Sequence, residues 1–228
     1  MATFVQDGYA EDSSGTPVAS LGVTLTGVAA GNLVAVWGKH EGATASISVS
    51  DATSTLQAGT YQANPPADSF GQWNYILSAN SGNRTYTESF GGASRAFPSI
   101  IAFEYSAAGK VWSFLGQSAA NGTSTAPNSG NFTTSGDDGV AFGGYAEDST
   151  NFTSSEQINS VAADGRKQTP AGADPRNYTV AWRKAFTAGY TGAASGTLGS
   201  SVAWACAGIA FSAAPAPATI PLLGQAIL

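Results

Sequence analysis

The chain reads as an all-β protein, a two-sheet antiparallel sandwich of the jelly-roll type with an extended C-terminal arm. Three observations predict this. Apolar side chains recur at every second position in run after run, the period of a strand with one face buried. Leu, Glu and Lys are scarce while Gly, Thr, Ser and Val are abundant, which weakens helices and favours strands. Gly-, Asn- and Asp-rich turn signals separate the runs at near-regular spacing.

In chain order, Leu21, Val23 and Leu25 alternate with Gly22, Thr24 and Thr26. Leu33 to Trp37 is apolar at every position, so this strand is expected to be buried on both faces. Ile47 and Val49 sit between serines, and Trp73, Tyr75 and Leu77 alternate with Gln72, Asn74 and Ile76. Ile100 to Tyr105 and Val111 to Leu115 follow, then Val140, Phe142 and Tyr145. Tyr178, Val180, Trp182, Lys184 and Phe186 give the cleanest alternation. Val202 to Phe211, apolar throughout and rich in alanine, is expected to be a central strand. Turns are expected at 30–32, 80–83, 108–110 and 136–139, and irregular loops at 62–71, 117–130 and 164–176. None of these loops separates two domains, so residues 1–212 are read as one sandwich domain and 213–228 as a Pro-rich apolar arm.

The arm carries no charged side chain. Pro215, Pro217 and Pro221 favour an extended path. Ile220, Leu222, Leu223, Ile227 and Leu228 would be sticky in water, whereas a free tail is normally polar and charged. These residues are therefore the candidate partner interface, docking on the chain's own domain or, preferably, on a neighbouring subunit.

Charged residues make up 11% of the 228, with a net charge of −6. That argues against nucleic-acid binding, which needs clustered Lys and Arg. It also argues against an enzyme for charged metabolites. No stretch is apolar and long enough to span a bilayer as a helix. The N-terminus lacks the basic and apolar regions of a secretory signal, so synthesis in a cytoplasm is expected. The single cysteine, Cys206, lies in an apolar run and reads as a small buried residue.

The sequence offers no set of catalytic residues, cofactor-binding residues or metal ligands. The single histidine, His40, stands at a strand end and reads as a surface residue. No nucleophile elbow, zinc ligand set, phosphate loop or dinucleotide fingerprint is present. Glu104 and Glu88 each stand alone in their strands, and the paired acids Glu11-Asp12, Asp137-Asp138 and Glu147-Asp148 fall in turns, so a facing carboxylate pair is not formed. Asn-x-Ser/Thr sequons at Asn83, Asn121, Asn131, Asn151 and Asn177 are also spelled by ordinary turns.

Gly8-Tyr9-Ala10-Glu11-Asp12-Ser13 recurs as Gly144-Tyr145-Ala146-Glu147-Asp148-Ser149. The flanks do not match at a fixed offset, so the echo reads as two similar strand exits placing acidic turns on one rim, with calcium binding as a lesser alternative. Trp73, Tyr75, Trp112 and Trp182 are candidate stacking platforms for sugar rings, although each also occupies a core-compatible strand position.

Thr24 to Trp37 resembles a recurring opening of phage and bacterial jelly-roll domains. Ile47 to Asp51 with Ser54-Thr55 resembles the next strand, and Asn80 to Thr87 and Ile101 to Ser106 resemble later ones. The resemblance covers residues 4 to 106; beyond them it is one of style. It points to tailed-bacteriophage virion proteins of the head decoration (cement) or tail type. It implies a non-enzymatic structural protein of the virion, most simply a capsid decoration protein. Such a protein forms homo-oligomers and contacts other virion proteins, the major capsid protein or a tail component. It binds no nucleic acid, membrane or cofactor. The alternative is a tail, fibre or other carbohydrate-binding adhesin module.

Overall fold

A computed structural model describes residues 1–42, 47–64, 69–90, 94–134, 138–147, 155–169, 179–187 and 189–216. The first half of the chain contributes β1 (Thr3–Glu11), β2 (Ser20–Val28), β3 (Leu33–Glu41), β4 (Ser48–Ser50), β5 (Gln57–Asn64), β6 (Ser69–Ile76), β7 (Gly82–Ser89) and β8 (Ala96–Ser106). The second contributes β9 (Lys110–Ser124), β10 (Asn128–Thr134), β11 (Gly139–Glu147), β12 (Gln157–Ile158), β13 (Val161–Ala162), β14 (Gly165–Gln168), β15 (Thr179–Phe186), β16 (Tyr190–Ser195) and β17 (Val202–Pro215). Among the described residues there is no helix.

The all-β expectation holds, but the strands form four antiparallel sheets where two were expected. Their orders are β1-β8-β3-β6-β5, β2-β7-β4, β14-β15-β11-β17-β9 and β10-β16-β12-β13. The second pair of sheets repeats the plan of the first. β9, β17, β11, β15 and β14 stand where β1, β8, β3, β6 and β5 stand, and β10, β16 and β12 stand where β2, β7 and β4 do. Each half encloses its own apolar layer. Val34, Val36, Ile47, Val49, Tyr86 and Ile100 fill the first; Phe132, Ala141, Tyr145, Val180, Trp182 and Cys206 fill the second.

A third layer joins the halves. It is made by the outer faces of the two five-stranded sheets, with Trp37, Trp73, Phe103 and Tyr105 against Phe142, Ile209 and Phe211. This explains why β3 and β11 are buried at every position and why their sequences run apolar without alternation. At this seam the rings of Trp73 and Phe142 lie 5.4 Å apart, and Trp73 Nε1 donates to Ala207 O at 3.3 Å. Polar contacts close its margin: Lys167 Nζ meets Asp7 at 2.7 Å, and the Arg183 guanidinium lies 3.6 Å over the Phe4 ring.

β3 and β11 run in the same direction across the seam. Trp37 stands at the level of Gly144, while Tyr105, paired with Leu33 four residues earlier, meets the Phe142 ring at 5.7 Å. The two halves therefore share their poles. At one pole lie the chain start, the connection between the halves and the end of β17. Asp138 accepts both the Met1 amino group at 3.0 Å and Lys110 Nζ at 2.8 Å, and Lys110 pairs with Pro215. We call this the exit pole. The C-terminal ends of β1, β3, β7 and β11 lie at the opposite, loop pole.

Some local expectations are corrected. Residues 117–124, expected in a loop, continue β9: Ser118, Ala119 and Ala120 are small enough to lie flat against Gly208, Ala207 and Cys206 of β17. Likewise Gln62 to Asn64 belong to β5, Ser69 to Gly71 to β6, and Gly165 to Gln168 form β14. Of the arm, residues 213–215 finish β17. Pro217, Ile220, Pro221, Leu222, Leu223, Ile227 and Leu228 lie outside the described residues, as do Asp137, Asp148, Asn151 and Asn177.

Candidate functional site

Two groups of charged side chains are held in unusual surroundings, both towards the loop pole. The first lies at the end of β3. His40, expected at the surface, is fully buried. It faces into the first sandwich from the third of five strands, and its ring stacks on Phe70 at 5.2 Å and meets Phe90 edge-on at 5.2 Å. Its neighbours Lys39 and Glu41 point to the other face of the strand and form a buried ion pair of 3.0 Å. On the facing sheet, Glu88 is fully buried, and neither carboxyl oxygen has a hydrogen-bond partner. Burial pushes its pKa well above the ordinary carboxylate range, against the weaker opposite pull of the Lys39 charge. Burial therefore favours the protonated, uncharged form of Glu88. Asn74, on the same inner layer, is buried with its amide oxygen and nitrogen both unpartnered.

The second group lies on the flank of the other sandwich. Glu156, nearly buried, binds Arg166 at 2.8 Å, and Arg166 also donates to Gln168. With Ser155, Gln157, Ala162, Ala163 and Gly165 they line a cleft of about 230 Å³. One wall is the β12–β13 hairpin, whose turn residues Asn159 and Ser160 have positive φ, the geometry a tight two-residue hairpin turn requires. Among the described residues β13 has no counterpart in the first half.

The residues singled out from the sequence are not brought together. Glu104 sits near the exit pole, accepting from Gln6 Nε2 at 2.5 Å, Ala29 N at 3.0 Å and Asn32 Nδ2 at 2.6 Å, and so ties the β2–β3 turn to β8 and β1. Glu88 and His40 lie at the other end of the same sandwich. Trp73, Tyr75, Trp112 and Trp182 are each at most 6% exposed, so none of these four rings offers a face to a sugar. Cys206 is buried, and burial pushes its thiol pKa up. Among the described residues no three His, Cys, Asp or Glu side chains gather as a metal-binding set.

Sequence reasoning missed the Glu156–Arg166 cleft altogether. One acid and one base ten residues apart, on either side of a hairpin, leave no spacing signature.

Compared with protein-family models, characterised proteins and solved structures, the chain matches none of them.

Proposed function

We propose that this is a non-enzymatic assembly protein, a structural component of a bacteriophage virion, and most simply a head decoration protein that forms homo-oligomers through its C-terminal arm. The observation that carries the reading is the placement of the chain exit. β17 ends beside Lys110, Asp138 and Met1 at the exit pole, opposite the C-terminal ends of β1, β3, β7 and β11. An apolar arm issuing from one pole of a weakly charged body suits attachment to a neighbour, with the loop pole facing outward. The resemblance of residues 24–37 and 101–106 to phage jelly-roll domains supplies the setting.

The strand pairing supports a jelly roll in each half. A jelly roll is a long hairpin rolled over, so its pairs are nested in sequence. Here β1 pairs with β8, β2 with β7 and β3 with β6. β9 pairs with β17, β10 with β16 and β11 with β15. Two rolls packed along a common apolar seam, in a chain with only 11% charged residues, suit a role in contact with neighbours.

Competition tests the reading. A synthetic peptide of residues 213–228, added in excess to the full chain, is expected to take the arm's place and lower the mass of the oligomer. An oligomer mass unchanged at saturating peptide contradicts it.

A further inference from the structure

Glu88 is a group that its own fold does not require. It lies on β7, fully buried and without a partner for either carboxyl oxygen, facing Gly38 so closely that a Cβ there would stand 2.5 Å from Oε2. The second sandwich provides an internal control. A threonine pair bridges β2 and β7 (Thr24 and Thr85, 2.8 Å), and its counterpart bridges β10 and β16 (Thr133 and Thr191, 3.1 Å). Three residues beyond Thr85 is Glu88; three beyond Thr191 is Ala194. Opposite, Gly38 on β3 corresponds to Gly143 on β11: Ala194 meets Gly208, the partner of Gly143 on β17, and the Trp182 ring covers Gly143. The second sandwich thus closes the same layer with a small apolar residue and a large ring, both in its core. The first closes it over Gly38 with a carboxylic acid.

We propose that Glu88 is a proton-operated latch on the loop pole of the first sandwich. As the neutral acid it fills the space over Gly38 and holds β7 against β3. When its O–H proton passes to solvent, the carboxylate left behind has no hydrogen bond in the closed layer. The layer then opens at that end to hydrate it. Among the described residues, the charged or titratable groups around it are Lys39, His40 and Glu41 on β3 and Tyr86 on its own strand. Its sheet neighbours Leu21 and Val49 are uncharged, as are Gln72 and Phe70 on β6. Lys39 is committed to Glu41 across the strand and offsets only part of the cost.

Opening releases one proton from Glu88, so the open fraction of the first sandwich rises up to tenfold per pH unit while Glu88 is ionised when open and neutral when closed. Hydrogen exchange read by mass spectrometry between pH 5 and 9 tests this, with β11 and β16 of the second sandwich correcting for intrinsic exchange rates. The ratio of opening in β3 and β7 to opening in β11 and β16 is expected to climb with pH in the native chain and to stay flat in Glu88→Gln. Glu88→Ala, which places there the residue the second sandwich uses, serves equally should the glutamine variant not fold. A flat ratio in the native chain, or the same climb in both variants, overturns the proposal.

Discussion

Trp37 stands over Gly144 across the seam that joins the two halves. Its indole occupies the space a Cβ on Gly144 would need, and its Nε1 donates to Thr179 Oγ1 at 2.8 Å, which in turn donates to Tyr145 O at 2.6 Å. A ring from the first half and a bare backbone from the second therefore set the distance between the central strands. Gly144→Val forces Trp37 out of this position and is expected to cost about 3 kcal/mol of stability. Urea unfolding of the two proteins checks this. A variant as stable as the native chain would show that the halves do not pack through this contact.

Glu104 is read as a tether and not as a catalytic acid. Replacing it with Ala leaves the buried Asn32 amide without its acceptor and frees the Ala29 N–H at the turn, at a cost of about 2 kcal/mol. The loss should appear in the unfolding midpoint, with exchange of amides in residues 29–32 accelerating first. A wild-type midpoint would remove the tether from the account.

Asp51 makes the turn after β4 sensitive to acid. Burial works to raise its pKa, but hydrogen bonds from the Thr53 amide and hydroxyl and the Ser54 amide, together with the Arg84 charge, outweigh burial and hold it below the usual range. A carboxyl whose pKa is lowered on folding contributes stability above its unfolded value, near 3.9, and loses it as the pH falls through the folded value. Asp51→Asn is expected to unfold with a shallower acid limb below about pH 4. Acid titration of both proteins by circular dichroism measures this; superimposable limbs would contradict it.

The burial of the aromatics separates the assembly reading from a sugar-binding one. All five tryptophans, at positions 37, 73, 112, 182 and 204, are at most 7% exposed. Their emission is expected to be blue-shifted, barely quenched by iodide and unchanged by added saccharides. Strong iodide quenching of the native protein would put at least one indole at the surface and reopen the platform reading.

The strands were legible in the sequence because a half-buried strand must alternate. Leu21 to Leu25 and Val180 to Phe186 announce themselves in this way. The doubling was not legible, and the hexapeptide echo pointed elsewhere. Gly8 to Ser13 begins in β1 and Gly144 to Ser149 in β11, strands that do not correspond in the two sheets. The true correspondences sit at Ala35 to His40 with Val140 to Tyr145, and at Ile101-Ala102-Phe103 with Ile209-Ala210-Phe211. These segments share burial more than identity, because a layer fills equally well with large and small residues exchanged across it. Glu88 facing Gly38 against Ala194 facing Gly208 is one such exchange; Gln72 against Trp182 marks another position where the halves diverge. His40 was misread for a related reason. Its place at a strand end says nothing of the phenylalanines, 30 and 50 residues further on, that enclose it.

The most direct test of the account is the solution mass of two proteins by multi-angle light scattering, the full chain and one lacking residues 217–228. The cut spares β17, which ends at Pro215, so both proteins are expected to keep the four sheets. The account predicts a defined oligomer for the full chain and a monomer for the shortened one. An oligomer of unchanged mass after the cut, or a monomer in both cases, would contradict it.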